Sequence, residues 1–260
     1  HEAGGRDHGL NYAYRLFDMD EPEMAGRSLP DILNEAESAG YAGLNVTFPY
    51  KIEVMQHLHS LSENAAALGA VNTIVLRDGR RAGHNTDLWG FAESFRRGMS
   101  GAALDEVLLL GAGGAGVAVS HALLNLGVGK LWIFDTDQDR AGRLAEARKW
   151  GLGDQRAAVT DSPEAVSASL RGVVNATPVG MAKLPGIPIP ASLIRPDMWV
   201  ADIIYFPMET ELLAAARARG CLLLPGAGMA VFQAVRSFEL FTGVALDPEP
   251  LRRPFESLGP

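Results

Sequence analysis

The sequence predicts an α/β fold in two parts, an N-terminal α/β region followed by a doubly wound parallel sheet. Three observations predict it. The runs Val107-Leu108-Leu109-Leu110 and Leu131-Trp132-Ile133-Phe134 are short and continuously apolar, the pattern of strands covered on both faces. Stretches with helical spacing separate such runs, so strand and helix alternate as in βαβ units. Residues 1–87 read differently, mixing short helical and strand patterns.

In chain order, Leu29 to Glu37 has apolar positions at helical spacing, and Gly40 stops it. Gly43 to Phe48 has strand composition and ends at Pro49. Ile52 to Leu68 repeats apolar residues every three or four positions, which predicts one helix ending at Gly69. Ala70 to Leu76 reads as a strand closed by the turn Arg77-Asp78-Gly79-Arg80. Helices are predicted from Gly114 to Leu126 and from Arg140 to Lys149, and further strands at Gly172–Asn175, Trp199–Asp202 and Cys221–Leu224. Met229 to Phe241 is helical by composition with Gly243 as its stop, and a proline-bearing tail begins at Leu246.

A chain of 260 residues has room for one or two domains at roughly 100–200 residues each. The net charge of -8 argues against nucleic-acid and anionic-membrane partners, which require basic surface. A small anionic substrate stays compatible, because one local cation can hold one carboxylate. Cys221 is the single cysteine, which excludes an intrachain disulfide and a multi-cysteine zinc site and suits the reducing cytoplasm. Its surroundings, Gly-Cys-Leu-Leu-Leu, read as buried strand. No apolar run approaches the ~18 residues of a membrane span. His57 and His59, two apart, do not share a helix face, and no metal site is expected.

Gly111-Ala112-Gly113-Gly114-Ala115-Gly116 fits G-x-G-x-x-G. The pattern alone is weak, but here it follows an apolar strand and opens a helix, the context the dinucleotide fingerprint requires. The first glycine permits the turn, the second lets backbone approach a diphosphate, and the third lets helix pack on strand. The helix N-terminus offers unpaired N–H groups to phosphate oxygens. Asp135, 19 residues after Gly116, ends the next strand, where a carboxylate accepts hydrogen bonds from adenosine ribose hydroxyls and repels a 2′-phosphate. Asp137 and Asp139 add to that repulsion, and the helix is expected to carry Arg140 away from the ribose. These features predict NAD rather than NADP. The polar turn Asn175-Ala176-Thr177-Pro178 follows another strand, where it would line the same crevice.

Lys51 follows the strand residues Asn45-Val46-Thr47-Phe48-Pro49-Tyr50, and Asp87 closes Asn85-Thr86-Asp87. By type they could form an acid–base pair if a closed cleft desolvates the lysine. On spacing alone the simpler reading, a surface lysine and a turn aspartate, prevails.

The ordered set changes that weight. Asn45-Val46-Thr47 with Pro49 and Lys51, Gly69 to Thr73, Asn85-Thr86-Asp87, the glycine loop, Asn175 to Pro178 with Gly180-Met181, and Gly226 to Met229 with Gln233 together resemble the shikimate dehydrogenases, and among them the NAD-using quinate/shikimate dehydrogenases. The resemblance covers nearly the whole chain. It implies a substrate domain of residues 1–87 with 227–260 and a Rossmann-type NAD-binding domain of residues 88–226. It implies Lys51 and Asp87 as catalytic pair, and Thr47, Asn72, Asp87, Tyr205 and Gln233 as contacts to a hydroxylated cyclic acid. It implies cofactor contacts from Gly111, Ala112, Gly113, Gly114, Ala115, Asp135, Thr177, Pro178, Gly226 and Met229, with a hinge in the Gly226–Gly228 region. NADP-using members carry Asn-Arg-Thr where this chain has Asp135-Thr136-Asp137, which agrees with NAD. The family pattern opens with a strand and a Ser-x-Ser/Thr-Pro segment ahead of a His, whereas this chain opens on His1-Glu2-Ala3, a departure from the family pattern at the residues whose hydroxyls bind the substrate carboxylate.

The expected reaction is hydride transfer at the C3 hydroxyl of quinate or shikimate by a cytoplasmic monomer or homodimer. The alternatives are an NADP-dependent biosynthetic shikimate dehydrogenase, an aminoshikimate dehydrogenase or other paralogue, and a non-catalytic nucleotide sensor, against which the presence of both Lys51 and Asp87 argues.

Overall fold

The computed structural model describes residues 1–47, 49–152 and 155–249. Phe48, the last residue of the first predicted strand, and the predicted tail from residue 250 onward lie outside them. The described residues divide into two compact units, His1–Thr86 together with residues 234–249, and Asp87–Gln233. The second unit carries a parallel sheet, as the apolar runs predict.

The first unit contains α1 (Glu2–Asp7), α2 (Leu29–Ser38), β1 (Gly43–Asn45), β2 (Ser60–Leu61), α3 (Glu63–Leu68), β3 (Thr73–Arg77) and β4 (Arg80–His84). Its sheet has the order β1-β3-β4-β2. Ser28 and Asp31 form a reciprocal capping box at the start of α2, satisfying helix N–H groups that have no intrahelical acceptor. The β3–β4 turn takes positive φ at both Asp78 and Gly79, the twist a two-residue hairpin needs. Leu33, Val54, Ala65, Val71 and Ile74 form the core.

The single helix predicted over Ile52–Leu68 is broken in three. A short 3-10 turn spans Glu53–His57, then β2 pairs in parallel with Ala82–Gly83 of β4, then α3 begins. Ser62 restarts the helix by accepting the Ala65 N–H, while the flanking N–H groups of His59 and Ser62 go to Arg81 and Gly83 of β4. The apolar spacing was a core signal: Val54 and Ala65 are fully buried from separate elements. Gly69 ends α3 in the left-handed region, φ 63, as expected of a C-terminal stop.

The second unit runs α4 (Asp87–Gly98), β5 (Glu106–Leu110), α5 (Gly114–Asn125), β6 (Lys130–Phe134), α6 (Gln138–Leu152), β7 (Ala157–Val159), α7 (Pro163–Val166), β8 (Gly172–Asn175), β9 (Trp199–Asp202), α8 (Glu211–Arg217), β10 (Leu222–Leu224) and, as far as Gln233, the start of α9 (Gly226–Thr242). Its six strands are all parallel in the order β10-β9-β8-β5-β6-β7. Strand order reverses between β5 and β8, so a crevice opens outside their C-terminal ends, where open α/β sheets take ligands. Val107 to Leu110 are at most 1% exposed, as strands covered on both faces must be. Cys221 is buried, with its thiol on the Arg195 carbonyl, and burial pushes its pKa up. No helix among the described residues is long and apolar enough to cross a membrane.

α9 starts at Gly226, three residues ahead of the predicted Met229. A side chain at Gly226 would collide with the Ile203–Ile204 backbone, and one at Gly228 with Ser94. These glycines permit close packing inside the first helical turn.

Candidate active site

The glycine loop joins β5 to α5 in the conformation its pattern predicts. Gly111 has φ +94, a region that disfavours side chains. A Cβ there would also lie 2.8 Å from the Ala176 carbonyl oxygen, and a Cβ at Gly116 would collide with the Gly111 carbonyl. Gly113 is the N-cap of α5, and a Cβ at Gly113 or Gly114 would meet nothing within 4 Å. The loop is thus crowded where helix meets strand and open where the first N–H groups of α5, with Ala115 among them, lack intrahelical acceptors. That shape fits a diphosphate.

Asp135 follows β6 beside this loop. Its Oδ2 accepts the Ala112 N–H at 2.8 Å and its Oδ1 the Asp137 N–H at 2.9 Å. The carboxylate is 8% exposed, so it is fixed in place while lone pairs remain for a diol. The expectation for Arg140 is corrected: α6 brings its guanidinium to 3.7 Å from Asp135 and 3.3 Å from Asp137. One turn of helix returns a side chain near its start, and Asp137 caps the Arg140 N–H at 2.9 Å.

The turn after β8 lies against the glycine loop, with Ala176 N–H on the Leu110 carbonyl at 2.8 Å. Asn175 Oδ1 accepts from Thr177 N–H and Oγ1 at 3.0 and 2.7 Å, which leaves Pro178 exposed. Gly226 and Met229 stand in the first turns of α9, both buried.

Asp87 is the first residue of α4 and is 3% exposed. Gln233 Nε2 donates to Asp87 Oδ1 at 2.6 Å. Gly90 makes this possible, since a Cβ there would stand 2.7 Å from the Met229 carbonyl and 3.0 Å from the Gln233 nitrogen. Sequence reasoning singled out Gln233 and passed over Gly90. Tyr205, in the segment after β9, is 54% exposed.

In the first unit, Lys51 lies in the turn after β1 and its carbonyl accepts the Val71 N–H at 2.8 Å. Val46 N–H bonds the Asn72 carbonyl at 2.8 Å. These backbone bonds hold the turn of exposed Thr47 and half-buried Lys51 beside buried Asn72. Asn72 Oδ1 accepts the Thr86 N–H at 2.8 Å and its amide donates to Thr86 Oγ1 at 3.1 Å. Thr73 Oγ1 and Asn45 Nδ2 meet Ser237 Oγ at 3.0 and 2.9 Å. Thr86 entered the sequence reading only within Asn85-Thr86-Asp87, and Ser237 was not singled out; a serine within an apolar helix was the available signal. Burial and the nearby Arg236 cation hold the His84 pKa below its ordinary value, which favours neutral imidazole.

A family model described as the shikimate dehydrogenase substrate binding domain matches residues 1–74. The chain is 50% identical to a shikimate dehydrogenase (NADP(+)) of Streptomyces avermitilis over 97% of this chain and 87% of that protein. It is 45% identical to a quinate/shikimate dehydrogenase (NAD(+)) of Corynebacterium efficiens, over 99% of this chain and 92% of that one. Among solved structures, quinate dehydrogenase from Corynebacterium glutamicum in complex with NAD superposes with a TM-score of 0.94 at 43% identity, covering 98% of this chain and 92% of that one.

Proposed function

Since the chain belongs to the shikimate dehydrogenase family, we propose that it is an NAD-dependent quinate/shikimate dehydrogenase, reversibly oxidising the C3 hydroxyl of quinate or shikimate to 3-dehydroquinate or 3-dehydroshikimate. The observation that carries the choice of NAD is the Asp135 carboxylate, fixed beside the glycine loop by the Ala112 and Asp137 N–H groups. A 2′-phosphate would meet a buried like charge there.

A bound nicotinamide would supply the hydride acceptor for oxidation and the hydride donor for reduction. Gly111 to Ala115 and the N-terminus of α5 would hold the diphosphate, Asp135 the adenosine ribose, and Thr177, Pro178, Gly226 and Met229 the rest of the cofactor. Lys51 takes the hydroxyl proton in oxidation and returns it in reduction. Asp87 orients the ammonium and the substrate hydroxyl, while Thr47, Asn72, Tyr205 and Gln233 hold the remaining polar groups of the substrate. Residues 1–87 with those from 227 onward thus serve substrate binding, and residues 88–226 serve cofactor binding. The enzyme works in the cytoplasm as a monomer or homodimer on small-molecule substrates, with neither nucleic acid nor membrane as partner.

Initial rates of NAD and NADP reduction with quinate and with shikimate test this reading. Rapid NAD reduction with either acid is the expected result. Turnover with NADP alone would overturn the cofactor assignment, and silence with all four pairs would overturn the activity.

A further inference from the structure

Asp202 closes β9, opposite Asn175 of β8 in register, and is 1% exposed. Its Oδ1 accepts from Asn175 Nδ2 at 3.1 Å and from the Ile204 N–H at 3.0 Å, and its Oδ2 from Thr210 Oγ1 at 2.8 Å. These three donors are an amide, a backbone N–H and a hydroxyl, so the carboxylate is satisfied without a cation among them. Burial pushes its pKa up, and the same three donors pull it back. A buried carboxylate so held is expensive when a neutral side chain would fill the space, which asks for a reason.

The reason lies in the polarity of the bonds. An ionised carboxylate only accepts, whereas a side-chain amide has one donating and one accepting end. Asp202 therefore allows Asn175 one orientation. The Asn175 NH₂ faces Asp202 and the Val179 carbonyl, the latter at 3.0 Å. Its oxygen must then face the Thr177 N–H and hydroxyl. Thr177 Oγ1, having donated its proton, accepts the Val179 N–H at 3.2 Å. A flipped Asn175 would set its oxygen against the carboxylate and the Val179 carbonyl, and its NH₂ against the Thr177 N–H. Asp202, the Val179 carbonyl and the Thr177 N–H thus agree in setting the direction of every bond across residues 175–179, and Asp202 is the one side chain among the three. That turn abuts Gly111, where a Cβ would lie 2.8 Å from the Ala176 carbonyl oxygen.

We propose that Asp202 is a positioning residue for the cofactor: acting through the Asn175 amide, it holds the Ala176–Pro178 turn as a fixed wall of the dinucleotide groove. Thr210 joins this device to α8, whose first turn it caps through the Leu213 N–H. The proposal rests on the NAD reading above.

The test is NADH titration by fluorescence and steady-state kinetics on the full chain, for Asp202→Ala and Asp202→Asn, each alone and combined with Asn175→Ala. Wild type is titrated first; failure to bind NADH breaks the NAD reading itself, whatever Asp202 does. In a binding-competent enzyme, Asp202→Ala is expected to raise the NADH Kd and the KM for NAD about tenfold, the scale of losing one or two buried hydrogen bonds. The KM for quinate or shikimate should stay within about twofold, and Asp202→Ala should add less than about twofold once Asn175 is alanine, since residues acting through one another are not additive. Asp202→Asn, which keeps the shape and one acceptor, should recover most of the loss. A folded Asp202→Ala with unchanged NAD affinity, or a full multiplicative effect in the Asn175→Ala background, would overturn the proposal. If Asp202→Ala does not fold, Asp202→Asn with Thr210→Val enters the same cycle, because together they remove the Oδ2 bond and leave the amide free to flip.

Discussion

The Arg140 guanidinium stands 3.7 Å from the Asp135 carboxylate and 3.3 Å from that of Asp137. Two carboxylates share one half-exposed cation, so the position that would face a ribose 2′-substituent keeps excess negative charge. Removing the inner carboxylate reverses the balance. Asp135→Asn keeps an oxygen for the Ala112 N–H, deletes the charge and leaves Arg140 to face a phosphate, as Arg does well. The ratio of kcat/KM for NAD over NADP is expected to fall by about 10- to 100-fold in this variant, one to two units of Coulomb energy at a partly exposed site. Parallel initial rates with both cofactors give the ratio; if it does not move, the charge of Asp135 is not what selects NAD.

Lys51 and Asp87 are assigned separable work. Lys51→Ala should lower kcat by about 10²- to 10⁴-fold, the usual range for a lost general acid–base, while substrate affinity by equilibrium titration changes little. Gln233→Ala removes the 2.6 Å bond to Asp87 together with the substrate contact proposed for this residue, so its main effect should be on the KM for the cyclic acid. Near-normal turnover by Lys51→Ala would remove that residue from the chemistry.

The glycine loop predicts two opposite phenotypes from one substitution. Gly116→Ala drives a Cβ into the Gly111 carbonyl, so helix or strand must shift, at a stability loss of about 1–3 kcal/mol. Gly113→Ala meets nothing within 4 Å and should leave the melting temperature nearly unchanged. It would nonetheless fill space assigned to the diphosphate and raise the KM for NAD. Thermal melts paired with NADH titrations separate the two; equal losses of stability would show that the loop is not open at Gly113.

Legibility in the sequence followed burial. β5, β8 and β9 announce themselves because both faces are covered and their central residues are apolar. β4, Arg80–His84, carries two arginines and a glycine, and its pairing is set by the Asp78-Gly79 turn and by β3, so no periodicity marks it. Between Ile52 and Leu68 the apolar spacing was real but came from two separate elements, the 3-10 turn and α3, reaching one core past the exposed β2. Among site residues, the glycine loop and Asp135 were legible because backbone geometry demands those types at those offsets. The Asn72–Thr86–Ser237 network and the Asp202–Asn175 pair were not, because partners far apart in sequence meet only through strand register. Arg140 was misjudged because a helix returns a side chain toward its own N-terminus.

His121 on α5 and Arg148 on α6 are 6% and 3% exposed, with Arg148 Nη1 2.9 Å from His121 Nδ1. Arginine only donates, so Nδ1 accepts and the imidazole proton sits on Nε2. Protonation would cost this bond and set two cations together. Burial first, and Arg148 second, hold the His121 pKa below its ordinary value, and His84 is lowered by burial and Arg236 in the same sense. The unfolded chain, with histidine pKa near 6.5, then binds more protons than the folded one in the window below, so stability rises with pH across it. The contribution is complete above about pH 6.5 and is lost as the pH falls through the depressed folded values. Melting temperature should therefore hold between about pH 8 and 7 and decline from about pH 6.5 toward 5, before most carboxylates titrate. His121→Gln, whose amide oxygen can accept from Arg148 and does not titrate, should flatten part of that decline while His84 supplies the remainder. Melts of both proteins across this range decide it: parallel slopes would mean that His121 takes up its proton equally readily folded and unfolded.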